Sequence, residues 1–71
     1  MSEAPFLQVW INQQAHRLQA PATLADAIAM VGLQPPFAAA VNLSFVPKSR
    51  YAQQTLNDGD QIELISPITG G

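Results

Sequence analysis

A chain of 71 residues that is 48% apolar and 11% charged, with a formal net charge of −2, has room for one small domain around one core and little room for an enclosed substrate pocket. Its only cations are Arg17, Lys48 and Arg50, so it lacks the clustered positive charge that binding to a phosphate backbone needs. It has no cysteine, which excludes a disulfide framework and a thiolate zinc site, and its longest apolar run, Phe37 to Val41, is too short to cross a bilayer.

The first residues, Met1-Ser2-Glu3-Ala4-Pro5, lack the basic region and apolar core of a secretion signal. The expectation is a cytoplasmic protein, monomeric when free. Phe6 to Ile11 reads as a strand, with Leu7, Val9 and Ile11 on one face and Phe6, Gln8 and Trp10 on the other. Asn12-Gln13-Gln14 reads as a turn, and Ala15 to Gln19 as the strand that pairs back, ended by Pro21. Thr23 followed by Asp26 is a helix start, a capping hydroxyl with a carboxylate in the first turn. Leu24, Ala27, Ile28 and Val31 recur at helical spacing. Gly32 and Leu33 supply a glycine cap and the apolar contact that follows it, so the helix runs from Leu24 to Val31.

Pro35-Pro36 forces an extended connection. Phe37 to Asn42 reads as an apolar strand with Ala39 and Val41 inward, and a short strand follows through Phe45-Val46 to Pro47. Ser49 to Gln54 is read as one helical turn, and Asn57-Asp58-Gly59-Asp60 as a tight turn. Gln61 to Ser66 is the last strand, with Ile62 and Leu64 inward, stopped by Pro67. Residues 1–66 then form the domain and residues 67–71 a flexible tail ending in Gly70-Gly71. Two strands, a helix and further strands imply an α+β fold, a mixed sheet of four to five strands on one helix. That is the order of the ubiquitin-like β-grasp.

Ala40-Val41-Asn42, Phe45-Val46-Pro47-Lys48, Tyr51, Asp58-Gly59-Asp60-Gln61-Ile62-Glu63 and Gly70-Gly71 closely resemble the thiamine-biosynthesis sulfur carrier family. Ile11-Asn12 and Thr23-Leu24-Ala25-Asp26 match less tightly. Lys48 and Tyr51 stand where the family more often shows Arg and Trp. The resemblance implies a carrier, not an enzyme. A partner adenylyltransferase related to ubiquitin-activating enzymes would join the Gly71 carboxylate to AMP from ATP. A sulfur donor, such as one fed by a cysteine desulfurase, would convert it to a thiocarboxylate, and thiazole synthase would accept the sulfur. The carrier would hold no cofactor and no metal, and would meet neither nucleic acid nor membrane.

The residue types fit that chemistry. A carboxylate is a poor electrophile until adenylation gives it a leaving group. Glycines at positions 70 and 71 add no β-carbon to narrow the route into a partner's ATP site. Extended, the five residues Pro67, Ile68, Thr69, Gly70 and Gly71 reach about 16 Å at about 3.3 Å per residue. Ordering them costs about 1 to 2 kcal/mol each, which docking of the body must offset. The candidate docking surface is the sheet face away from the helix, with Trp10, Ile65 and Leu43 beside the flat Ala40, although Trp10 reads equally well as core.

Plainer readings stand beside these. A terminal Gly-Gly alone can be a simple flexible end. His16 has no second histidine and reads as a surface residue. Asp58 and Asp60 read as turn formers rather than paired catalytic carboxylates, and Lys48 as a surface lysine. The alternatives to the thiamine carrier are the small subunit of molybdopterin synthase, which favours Pro-Pro-Val where this chain has Ser66-Pro67-Ile68-Thr69, and a protein modifier of the ubiquitin kind.

Overall fold

The computed structural model describes residues 5–66. Five strands and one helix follow in chain order: β1 (Phe6–Ile11), β2 (Gln14–Gln19), α1 (Leu24–Val31), β3 (Ala38–Val41), β4 (Ser44–Val46) and, after a 3-10 turn over Lys48–Gln53, β5 (Gln61–Ile65). The sheet order is β2-β1-β5-β3-β4. The last strand therefore inserts between the two hairpins, parallel to β1 through Trp10 and Ile11 beside Gln61 and Ile62. On its other side β5 runs antiparallel to β3, with Ala38 opposite Ile65 and Ala40 opposite Glu63.

Local chemistry explains α1. The Thr23 hydroxyl accepts from the Asp26 N–H (3.3 Å), and an Asp26 carboxylate oxygen accepts from the Thr23 N–H (2.8 Å). That is the reciprocal capping pair. At the other end Gly32 is left-handed (φ 71°) and its N–H donates to the Ile28 carbonyl, where a residue with a side chain would be strained.

The core lies between the sheet and this helix. Val9, Ile11, Leu18, Ala39, Val41, Val46, Ile62 and Leu64 meet Leu24 and Ala27, with Ala22 and Leu56 closing one end. Ile28 and Leu33 pack against that cluster, whereas Val31 is more than a third exposed. The inward positions are alternate residues of each strand, as the period of two requires.

The structure corrects the connections. The first turn is two residues, Asn12 and Gln13, both at positive φ (51° and 69°), and Gln14 already belongs to β2. A pair of left-handed residues matches the twist of a two-residue hairpin. The second hairpin repeats it with Asn42 and Leu43 (51° and 71°), so β3 stops at Val41. Phe37 precedes β3 and stacks on Tyr51, with ring centroids 5.9 Å apart. β5 ends at Ile65, one residue sooner than Ser66. Among the described residues, no helix is long and apolar enough to cross a membrane. The tail assigned to residues 67–71 lies outside the described residues.

Candidate functional site

Two features of the fold bear on function: the root of the tail and the outer face of the sheet. The expected sulfur-bearing residue Gly71 and the threading residues Pro67, Ile68, Thr69 and Gly70 lie outside the described residues. The strand that leads to them does not. β5 is the central strand, and each of its edges is held by an asparagine from a hairpin turn.

At its start, the Gln61 N–H donates to Asn42 Oδ1 (3.0 Å), and the Asn42 N–H donates to the Gln61 carbonyl (2.7 Å). At its end, the Leu64 N–H donates to Asn12 Oδ1 (2.9 Å), while Asn12 Nδ2 donates to the Leu64 carbonyl (3.2 Å). Ser66, the last described residue, lies two positions beyond that clamp.

The acidic turn before β5 is structural. Asp60 is buried, and its carboxylate accepts from Asn42 Nδ2 (3.0 Å) and from the Asn57 N–H (2.8 Å). Asp58 accepts from the Gln8 N–H (2.8 Å), and the Gly59 N–H donates to the Gln8 carbonyl (2.7 Å). The Asp58 carboxylate thus extends the pairing with β1, while the Asp60 carboxylate closes its own turn at Asn57 and ties it to Asn42 of the second hairpin. Among the described residues no group of three or more His, Cys, Asp or Glu is placed to hold a metal ion.

Among the described residues, the outer face carries partly to largely exposed apolar side chains. Trp10 is 37% exposed and Ile65 58%. Both alternate with core residues, so Trp10 belongs to this face and not to the core. Leu43 is 86% exposed, but it stands in the β3–β4 turn and not on a strand. Trp10 neighbours Gln61 at the start of β5, whereas Ile65 neighbours Ala38 at its end. The three residues thus share one side of the molecule without forming one cluster.

Reading the sequence missed Phe45. It is 70% exposed and sits directly opposite Ala40, which in turn faces Glu63. Its position next to buried Val46 in a three-residue strand was the available signal. On the far edge, Phe6 lies under the Arg17 guanidinium, 5.8 Å from the ring centroid, a favourable cation–π distance. Trp10, Phe45 and Ile65 thus place exposed apolar groups on one sheet face.

Comparison with known proteins adds independent findings. The model of the ThiS family matches residues 8–71. The chain is 35% identical over 66 residues to the sulfur carrier protein ThiS of Escherichia coli (strain K12), across 92% of this chain and 100% of that protein. It is also 35% identical over 66 residues to a thiazole synthase of Paramagnetospirillum magneticum, across 92% of this chain and 20% of that protein. The chain thus spans about a fifth of that longer relative. The crystal structure of a thiamine biosynthesis protein (ThiS) from Geobacter metallireducens aligns with a TM-score of 0.74, over 92% of this chain and 100% of that one, at 13% identity. That likeness establishes the ubiquitin-like β-grasp fold.

Proposed function

The chain belongs to the ThiS family, and from that premise we propose that it serves thiamine biosynthesis as a sulfur carrier whose working group is the Gly71 carboxylate. The observation that carries the proposal is the placement of β5. The strand that precedes the tail is the centre of the sheet and is bonded along both edges. The body therefore presents the tail from a fixed root, while the last two residues, Gly70 and Gly71, add no side chain to the path.

The chemistry runs in three steps on partner enzymes. An adenylyltransferase joins the Gly71 carboxylate to AMP from ATP, releasing pyrophosphate. A sulfur donor then displaces AMP and leaves a thiocarboxylate. Thiazole synthase takes that sulfur and regenerates the carboxylate. The chain is a co-substrate in each step and supplies no catalytic group. Its docking surface is the outer face, with Trp10 and Ile65 joined by Phe45, and Leu43 at the rim. Such a cycle belongs in the cytoplasm, where ATP is available.

Cells that lack their own carrier and need added thiazole test the reading. The wild-type chain restores growth without thiazole. A chain that lacks Gly71, or that carries one bulky residue after it, does not. Growth restored by either altered chain in its unprocessed form contradicts the proposal, and a ladder of conjugates with cell proteins would favour a modifier.

A further inference from the structure

We propose that Asn12 is a positioning residue for the carrier tail, its side-chain amide standing in for a missing residue of β1 and fixing where the chain leaves the sheet. The inference rests on the reading of the tail as the carrying group.

The backbone geometry creates the need. Asp60 and Ile62 face β1, since their carbonyls accept from the Trp10 and Asn12 N–H groups at 2.9 Å. Leu64 comes next on the same edge. β1 ends at Ile11, and the chain turns away at Asn12 and Gln13. Without another partner, the Leu64 N–H and carbonyl would face a strand that has already ended. On the opposite edge Glu63 and Ile65 are still paired with Ala40 and Ala38, so the loss would be one-sided and would fall at the root of the tail.

The Asn12 amide meets both groups at once, accepting at 2.9 Å and donating at 3.2 Å across 52 positions of sequence. A primary amide offers an acceptor and a donor with the spacing of a peptide group. A carboxylate lacks the donor, and a hydroxyl has only one atom with which to reach both groups. Asn also tolerates the left-handed conformation (φ 51°) that the turn demands better than most residues. One residue therefore makes the turn and replaces the strand that the turn ends. With the clamp, β5 is bonded on both edges to within three positions of Pro67. Without it, the end of β5 from Leu64 onward is held on the β3 edge alone, and the root of the tail is looser when a partner engages it.

Asn12→Gly separates the two roles, because glycine keeps the positive φ and removes the amide. Asn12→Asp keeps the acceptor and loses the donor. Thr23→Ala, at the start of α1 and outside the site, serves as the control for general loss of stability. Amide hydrogen exchange at Leu64 and Ile62 is measured by NMR on each full chain. The kinetics of thiocarboxylate formation are then followed with the adenylating enzyme, ATP and sodium sulfide.

Asn12→Gly is expected to speed exchange at Leu64 by about tenfold, the loss of roughly one net hydrogen bond, with Ile62 unchanged. It should lower kcat by about tenfold, the cost of re-ordering roughly one residue's worth of backbone at the loosened strand end, and leave KM near the wild-type value because docking of the body is intact. Asn12→Asp falls between the two, and Thr23→Ala keeps the wild-type kcat. The inference is overturned if Leu64 protection survives in Asn12→Gly, if protection is lost while kcat stays at the wild-type value, or if Thr23→Ala loses as much activity. A wild-type chain that gains no sulfur although Leu64 is protected would instead defeat the carrier reading, and this inference with it.

Discussion

At the scale of single residues, the two faces of the sheet divide into groups that hold the fold and groups that are free to bind. Val9 and Ile62 are fully buried, while Trp10 and Ile65, next to core positions in their strands, are open to solvent. Truncating a large exposed aromatic changes little in the folded monomer, but removes an anchor from an interface. Trp10→Ala is predicted to weaken binding to the adenylating partner by about tenfold or more, the range of an interface hot spot. Ile65→Asp should do the same by placing a charge in the contact. Both should keep the wild-type dispersion of amide resonances, with stability changed by no more than about 1 kcal/mol. Calorimetric titration measures the first effect and urea unfolding the second. Loss of the folded state in either variant would place that side chain in the core.

At the scale of elements, the helix is self-contained and the sheet is not. The Thr23–Asp26 pair and Gly32 fix both ends of α1 through contacts no more than four residues apart. Thr23→Ala should cost about 1 kcal/mol of stability, the usual loss on deleting a cap. A β-carbon at Gly32 would meet nothing within 4 Å, so Gly32→Ala should also cost about 1 kcal/mol or slightly more, purely from the left-handed backbone. Urea unfolding with an unchanged slope tests both, and a stability equal to wild type in either contradicts the assignment of the caps.

This locality is why the bounds of α1 could be read directly, along with the inward faces of β1, β3 and β5. The two hairpin turns were less legible. Neither Asn12-Gln13 nor Asn42-Leu43 carries the glycine that usually marks two left-handed residues. The position of β5 between the hairpins, and the clamps that hold it there, join residues up to 52 positions apart, and no local pattern encodes such pairings. Phe45 lies in a strand of three residues, where alternation with its neighbour Val46 is the one weak sign of its outward face.

At the scale of the whole molecule, the carrier is a small body built to hold one strand still. Stability in a domain of this size is limited, about 5 kcal/mol or somewhat more, and the buried side chains of β5 carry much of it. Ile62→Ala removes a side chain that is 1% exposed and should cost about 2 to 5 kcal/mol. Melting should come early, and at the upper end of that range a large fraction of the molecules would be unfolded at 37 °C, whereas a melting temperature close to wild type would contradict a core position for Ile62. The family match runs from residue 8 to residue 71 and so covers β5 together with the residues that follow it.

Whether Gly71 carries the sulfur is decided by the intact mass of the full chain after incubation with ATP, a sulfide source and the adenylating enzyme. Fragmentation then locates the change. A single exchange of oxygen for sulfur is expected, confined to Gly71 and absent when ATP is withheld. Sulfur attached at any other residue, or a chain left unmodified by an enzyme proven active on another family member, would contradict the role given to Gly71.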